Sequence, residues 1–349
     1  MKKSHYQDDK KTEESDLKIK DDLEKKPFLA KTAIYFLSCV VLIAVIFATI
    51  INFKLAPASL DKDKSEYFEI KKGESTREIS TRLRQQSLIK SDFAFYVYAL
   101  VTRSKIQAGY YRLSSGVSSQ EIITKFAKGE VDAYSVTIPE GYRALQIAKL
   151  FQEKISLDPN KFIAAAIGTE GTLFPDTYVF PSNTEPAKIV KTMQDNFDKK
   201  TNELKLTQDQ LILASIVERE ALSDDERPKI AAVYKNRADK NMLLQADPTV
   251  RYALDTQQYT KTKSVDFEFW QGLSRADIQD QSSVFNTYKN RGLPPAPICN
   301  PGLKSIGAAI NVEANFDYLF FFHDKDKKIH FSKTYDEHLK AIQEFGVSS

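Results

Sequence analysis

Cysteine and histidine are scarce in this chain, and the scarcity excludes whole classes of chemistry. Of two cysteines in 349 residues, Cys39 lies inside a long apolar run, so Cys299 has no plausible intrachain partner. That excludes a disulfide framework and a cysteine-rich zinc site. The four histidines, His5, His323, His330 and His338, fall in no HExxH or similar ligand spacing, so neither a metal nor another cofactor is expected. Charge of one sign is lacking too. The formal net charge is +3, and the lysines and arginines form no basic stripe interleaved with aromatics, so no nucleic-acid partner is expected.

What is present first is a membrane signal. Residues 28–53 read FLAKTAIYFLSCVVLIAVIFATIINF, and Ala33 to Ile51 carries no charge. That length matches the roughly 20 residues of a bilayer-spanning helix. It exceeds a signal-peptide core, and a long polar tail precedes it, so an uncleaved anchor is expected despite the small residues at Ala56-Pro57-Ala58. Lys18, Lys20, Lys25, Lys26 and Lys31 precede the run, whereas Lys54, Lys62 and Lys64 follow it. The N-terminal side is therefore expected in the cytoplasm and the bulk of the chain outside it. Residues 1–27 mix both charge signs with few apolar residues and read as a disordered tail.

A linker (residues 54–65) leads to a unit that occurs three times. In YFEIKKGESTREISTRLRQQ, a strand breaks at Gly73 and a helix starting near Ser75 or Thr76 carries Ile79 and Leu83 on one face. Gly116 with Ile122 and Phe126, then Gly141 with Ile147 and Phe151, repeat the spacing. Each unit predicts a strand, a turn with positive φ at glycine, and an amphipathic helix folded back on the strand. Together they predict a small α+β domain over residues 66–165. The first unit resembles LysM modules, which bind glycans containing N-acetylglucosamine; a plain spacer is the alternative.

A larger α+β domain is expected over residues 166–346. Its most informative stretch is TQDQLILASIVEREAL, Thr207 to Leu222. Thr207 and Gln210 form a capping-box pattern, and Leu211 to Val217 is apolar nearly all round, as in a buried helix. Glu218 lies on the same stripe as Leu211. A carboxyl there is expected to be partly desolvated, which favours the protonated form and suits a general acid. The alternative is a structural glutamate paired with an arginine such as Arg219 or Arg237. Asp247-Pro248-Thr249 reads as a helix start with Asp247 as N-cap and Pro248 first in the helix. FNTYKNRGLPPAPICNPG, Phe285 to Gly302, predicts a long extended loop in which Asn286, Thr287, Tyr288 and Asn300 offer hydrogen bonds suited to sugar hydroxyls. Tyr178, Tyr252 and Tyr288 are either sugar-stacking rings or core. The end of the chain predicts a strand from Tyr318, a hairpin around Asp324–Lys328, a strand through Phe331 and a closing helix from Asp336.

LASIVERE, LQADPTVRYAL, FNTYKNRGLPPAPICNPG and HFSKTYDEH, in that order, closely resemble the YceG-like family of endolytic murein transglycosylases. The resemblance covers roughly residues 65–345. Ala296 and Cys299 depart from it where other small residues are common. It implies that Glu218 is the acid/base. It also implies cleavage of the β-1,4 bond between N-acetylmuramic acid and N-acetylglucosamine within peptidoglycan strands, leaving 1,6-anhydromuramic ends. Gln245, Asp247, Thr249, Asn286, Thr287 and Tyr288 are the candidate substrate contacts. Penicillin-binding proteins or other wall-synthesis proteins are possible partners, and a bacterial inner membrane is the expected location. A hydrolytic muramidase and a non-catalytic wall-binding scaffold are the competing functions.

Overall fold

A computed structural model of the chain describes residues 35–61, 65–280 and 282–346. The expected cytoplasmic tail, the first residues of the apolar run and most of the charged linker lie outside the described residues. The first apolar element is helix α1, Tyr35–Leu55, whose 21 residues span about 30 Å at 1.5 Å per residue. Its side chains are exposed as far as Lys54 except for half-buried Ile51, whereas Leu55 is buried.

The chain forms two compact units, divided between Asp132 and Ala133. In the first, β1 (Ser65–Ile70), α2 (Thr76–Gln85), α3 (Asp92–Val101), β2 (Gly109–Ser114) and α4 (Ser119–Lys128) follow α1. β1 and β2 pair antiparallel, with Phe68 opposite Tyr111. Ser75 with Glu78 and Ser118 with Glu121 close reciprocal capping boxes, which fix where α2 and α4 start. The periodic residues Ile79, Leu83, Ile122 and Phe126 all reach the core, and the Phe126 ring packs on Phe68, Phe95 and Tyr111. Gly73 and Gly141 adopt positive φ (+85° and +76°), as the repeat predicts. Gly116 does not. Its turn closes through Val117 N–H donating to Ser114 carbonyl (3.3 Å), a geometry open to any residue.

The second unit contains β3 (Ala133–Thr137), α5 (Ala144–Ile155), α6 (Pro159–Ala165), β4 (Thr177–Pro181), α7 (Pro186–Thr201), α8 (Gln208–Glu220), α9 (Arg227–Asp239), α10 (Asp247–Thr262), α11 (Arg275–Gln279), α12 (Leu303–Ile310), β5 (Phe320–His323), β6 (Ile329–Ser332) and α13 (Tyr335–Phe345). The third repeat, β3 and α5, thus belongs to this unit and not to the first, although the repeat alone suggests a boundary at residues 165/166. The reason is pairing. β3 runs antiparallel to β4, with Val136 opposite Tyr178, and α5 packs with α6, α7 and these strands in one apolar cluster around Phe151, Phe162 and Met193. A second cluster gathers α8, α9 and α12 around Ile216, Val217, Ile230 and Ile306. Among the described residues the architecture is mixed α+β, with three two-stranded antiparallel sheets.

Candidate active site

Helix α8 is the axis of the site. Thr207 caps it reciprocally with Gln210, and every residue from Leu211 to Val217 is buried. A helix covered on all sides emerges only at its end, and there it delivers Glu218, whose side chain is 6% exposed. Glu218 Oε1 accepts from Arg227 Nη1 (3.2 Å), and Oε2 accepts from the Gly302 backbone N–H (3.0 Å). Arg227 opens α9 and also donates to Ser305 Oγ (2.5 Å) and Asp224 Oδ1 (3.3 Å). Gly302 is the N-cap of α12, so the positive end of that helix faces the carboxylate. The arginine beside Glu218 is thus Arg227. Arg219 instead lies over the Trp270 ring (4.3 Å), and Arg237 holds the Leu244 carbonyl (2.8 Å) and Gln245 Oε1 (3.2 Å).

A second carboxyl converges on the same place. Glu140 and Gly141 form a turn against the end of α8, and a Cβ at Gly141 would lie 3.4 Å from Glu218 Cγ. A Cβ at Gly302 would fall 1.9 Å from Glu140 Oε1. Both carboxyl groups therefore meet over Gly302. Partial burial, and then the negative charge of Glu218, raise the proton affinity of Glu140, against the pull of Arg227 and Lys304.

The loop carrying Gly302 is tied to α8 and to two neighbouring turns. Ser215 Oγ accepts from Ile298 N–H (3.0 Å). Asn300, fully buried, accepts at Oδ1 from Gly171 N–H (2.9 Å) and Leu173 N–H (2.8 Å), and donates from Nδ2 to the Tyr142 carbonyl (2.9 Å) and Glu170 (3.0 Å). Glu170 also accepts from Ala144 N–H (3.0 Å), and burial pushes its carboxyl up to about 7 despite Arg143 nearby. Arg143 is 1% exposed, and its guanidinium lies 3.9 Å from the centre of the Tyr252 ring.

On the other side of the α8 terminus, Tyr234 donates to Glu220 Oε1 (2.7 Å). Burial pushes Glu220 up to about 7, and Asp247 adds to the effect. Tyr288 donates to Asp247 Oδ1 (2.5 Å). Gln245 and Asp247 are exposed, with Tyr288 half-buried beside them. Asp247 is the first residue of α10, and Ala246 occupies the cap position. The expected Asp247 cap is therefore one residue out, because Pro248 fits either of the first two helical positions.

The remaining expected contacts are structural. Thr249 and Thr287 share a buried hydrogen bond (2.9 Å), and Thr287 Oγ1 accepts from Ala246 N–H (3.0 Å). Asn286 is buried, donates to the Ile278 carbonyl (3.1 Å) and accepts from Tyr288 N–H (2.9 Å). These three, with Asn300, fix the loop from inside and do not present their polar groups to a sugar. Tyr178 is core, donating to the Phe174 carbonyl (2.6 Å). Arg227 and Glu140 stand beside Glu218 and Glu170 stands behind the loop, and sequence reasoning named none of the three as a candidate. Two of them carry a readable signal, since Glu140-Gly141 and Glu170-Gly171 are both acid–glycine turns with positive φ at the glycine. Among the described residues no group of His, Cys, Asp and Glu is arranged to hold a metal ion.

Comparison with known proteins places this arrangement. The YceG-like family model matches residues 68–344. An endolytic murein transglycosylase of Bacillus subtilis (strain 168) is 31% identical over 329 residues, covering 83% of this chain and 88% of that protein. One from Streptococcus pneumoniae serotype 2 is 26% identical over 343 residues, covering 83% of this chain; the chain spans 60% of that longer relative. The crystal structure of a yceG-like protein from Listeria monocytogenes is 31% identical, with a TM-score of 0.50, covering 79% of this chain and 99% of the other. The match runs from β1 to α13 and includes the helix, turns and loop that meet at Glu218, and on this ground the chain belongs to the YceG-like family.

Proposed function

We propose that this chain is a membrane-anchored endolytic transglycosylase that cleaves the β-1,4 bond between N-acetylmuramic acid and N-acetylglucosamine in peptidoglycan strands. Glu218 is its acid/base, and α1 holds it to the membrane with the larger part outside the cytoplasm. The observation that carries this reading is the placement of the family-motif glutamate. It ends a buried helix, in contact with Arg227 and Gly302 N–H and beside the carboxyl of Glu140.

Glu140 brings a second carboxyl to Glu218, and its own proton affinity is raised there by partial burial and by the charge of Glu218. A proton delivered through Glu218 goes to the glycosidic oxygen as the C1–O bond of the muramic residue breaks through an oxocarbenium-like state. The 6-hydroxyl oxygen of the same residue then bonds to C1, and its proton returns to the Glu218 carboxylate. No water is consumed, and the new end is a 1,6-anhydro ring. The two N–H donors on Glu218 suit the carboxylate that receives this proton. General acid help contributes about 10²–10⁴-fold. Gln245, Asp247 and Tyr288 line the exposed edge where a strand would be held. The strand–helix–helix–strand order of the first unit supports a glycan-contacting role of the LysM kind.

Glu140 also supports a second reading. A second carboxyl near the acid is what hydrolytic glycosidases use, as nucleophile or as the base that activates water. Full-length protein incubated with purified sacculi decides between them. Anhydro ends are expected. Reducing ends, one water heavier by mass spectrometry, would replace this reading with hydrolysis. Glu218→Gln is expected to retain the fold and lose product formation, and undiminished product from that variant would refute the assignment.

A further inference from the structure

Helix α3 is apolar on nearly every side, yet the first unit covers only half of it. Ala94, Phe95 and Ala99 are buried, while Phe93, Leu100 and Val101 are 58%, 63% and 76% exposed, with Tyr96 and Val97 half-exposed between them. At about 100° per residue these five fall within one arc of about 140°, a continuous apolar stripe facing away from the core. Lys90 precedes the stripe, and Arg103 and Lys105 follow it; Asp92, at its margin, is the acid on the helix.

The position of α3 on its own unit indicates what covers that stripe. Lys90 Nζ sits 5.2 Å from the centre of the Phe53 ring, in the last turn of α1. Gln120 at the start of α4 donates to Asn52 (3.4 Å), and Leu55 is buried in the unit. The end of the spanning helix is thus seated on this unit, and α3 starts two residues beyond the lysine that touches it. Where α1 leaves the hydrocarbon, an apolar face with basic residues at its ends lies beside it. That is the make-up of a helix lying in a lipid interface.

We propose that α3 is a second membrane contact: its Phe93–Val101 face lies in the outer surface of the bilayer that α1 crosses, with Lys90, Arg103 and Lys105 at anionic headgroups. The proposal rests on the anchor reading of α1, and the test separates the two. Full-length protein with Cys39→Ser is reconstituted into vesicles of phosphatidylglycerol and phosphatidylcholine; Cys299 is fully buried and stays unlabelled. Single cysteines at Val45, Thr81, Phe93 or Leu100 carry a nitroxide, and its collision with oxygen and with a water-soluble nickel chelate is measured. The expected oxygen-to-nickel ratio at Phe93 and Leu100 is several-fold above that at Thr81, an exposed position on α2, and below that at Val45. Ratios at Phe93 and Leu100 equal to that at Thr81, with Val45 in lipid, overturn the α3 contact and leave the anchor standing. Exclusion of both reagents at Phe93 and Leu100 means protein covers the face, and also overturns it. A water-exposed Val45 removes the anchor, and the α3 contact with it.

Discussion

Replacing Asn300 with alanine should unfasten the site from behind. The side chain is fully buried and makes four hydrogen bonds, to Gly171 N–H, Leu173 N–H, the Tyr142 carbonyl and Glu170. Truncation leaves two buried N–H groups without their acceptor, at about 1–3 kcal/mol each. Glu170 keeps Ala144 N–H, and a water entering the vacated volume would offset part of the loss. The expected cost is about 4 kcal/mol. For a unit of this size each kcal/mol lowers Tm by about 2–4 °C, so the second unit should melt about 8–16 °C lower. Full-length protein in detergent, followed by near-UV circular dichroism, measures this, with the first unit's transition as an internal reference. Asn300→Asp refines the test. It keeps the acceptor for both N–H groups but sets a second carboxyl against Glu170. Its deficit should be largest above pH 7 and shrink as pH falls and Glu170 takes up its proton. A Tm shift under about 3 °C for Asn300→Ala, or a pH-independent deficit for Asn300→Asp, would refute the reasoning.

Further outcomes follow from the same geometry. Glu170 binds its proton more tightly folded (about 7) than unfolded (4.5), so it contributes stability at low pH that is lost as pH rises through that window. Glu170→Gln lacks this slope, and chemical denaturation should find it more stable than the parent at pH 8 by up to about 3 kcal/mol, with the difference vanishing near pH 5. Gly302→Ala places a methyl group on the Glu140 carboxyl, the far end of a flexible side chain that can swing away. It should therefore fold normally yet lose at least about tenfold in strand cleavage by product chromatography. Tyr234→Phe removes the hydroxyl that serves half-buried Glu220, and urea unfolding should show a loss of about 1–3 kcal/mol.

The sequence made legible what depends on local pattern. The Thr207 capping box, the all-round apolar run of α8 and the helices at Ile79, Ile122 and Ile147 are set by residues within a turn or two of one another, and all three helices form where the spacing puts them. What was not legible depends on distant partners. The third strand–glycine–helix unit looks like the first two, but β3 pairs with β4, which begins 40 residues further on at Thr177, and that pairing assigns it to the second unit. Asn286, Thr287 and Asn300 read as polar loop residues, and their inward direction follows only from the backbone groups they meet. Arg227 lies in SDDERPK, a stretch that reads as solvated surface until α12 and Ser305 are brought beside it.

The bond from Gly302 to Glu218 comes from the main chain. Among replacements at position 302 only proline deletes that donor, whereas Arg227 and Glu140 each lose their group with almost any substitution. Descendants of this protein adapting to a more acidic or more alkaline wall therefore have two adjustable knobs and one fixed peg. Variation that retunes the working pH should collect at positions 227 and 140, while position 302 is held by the space it must leave empty.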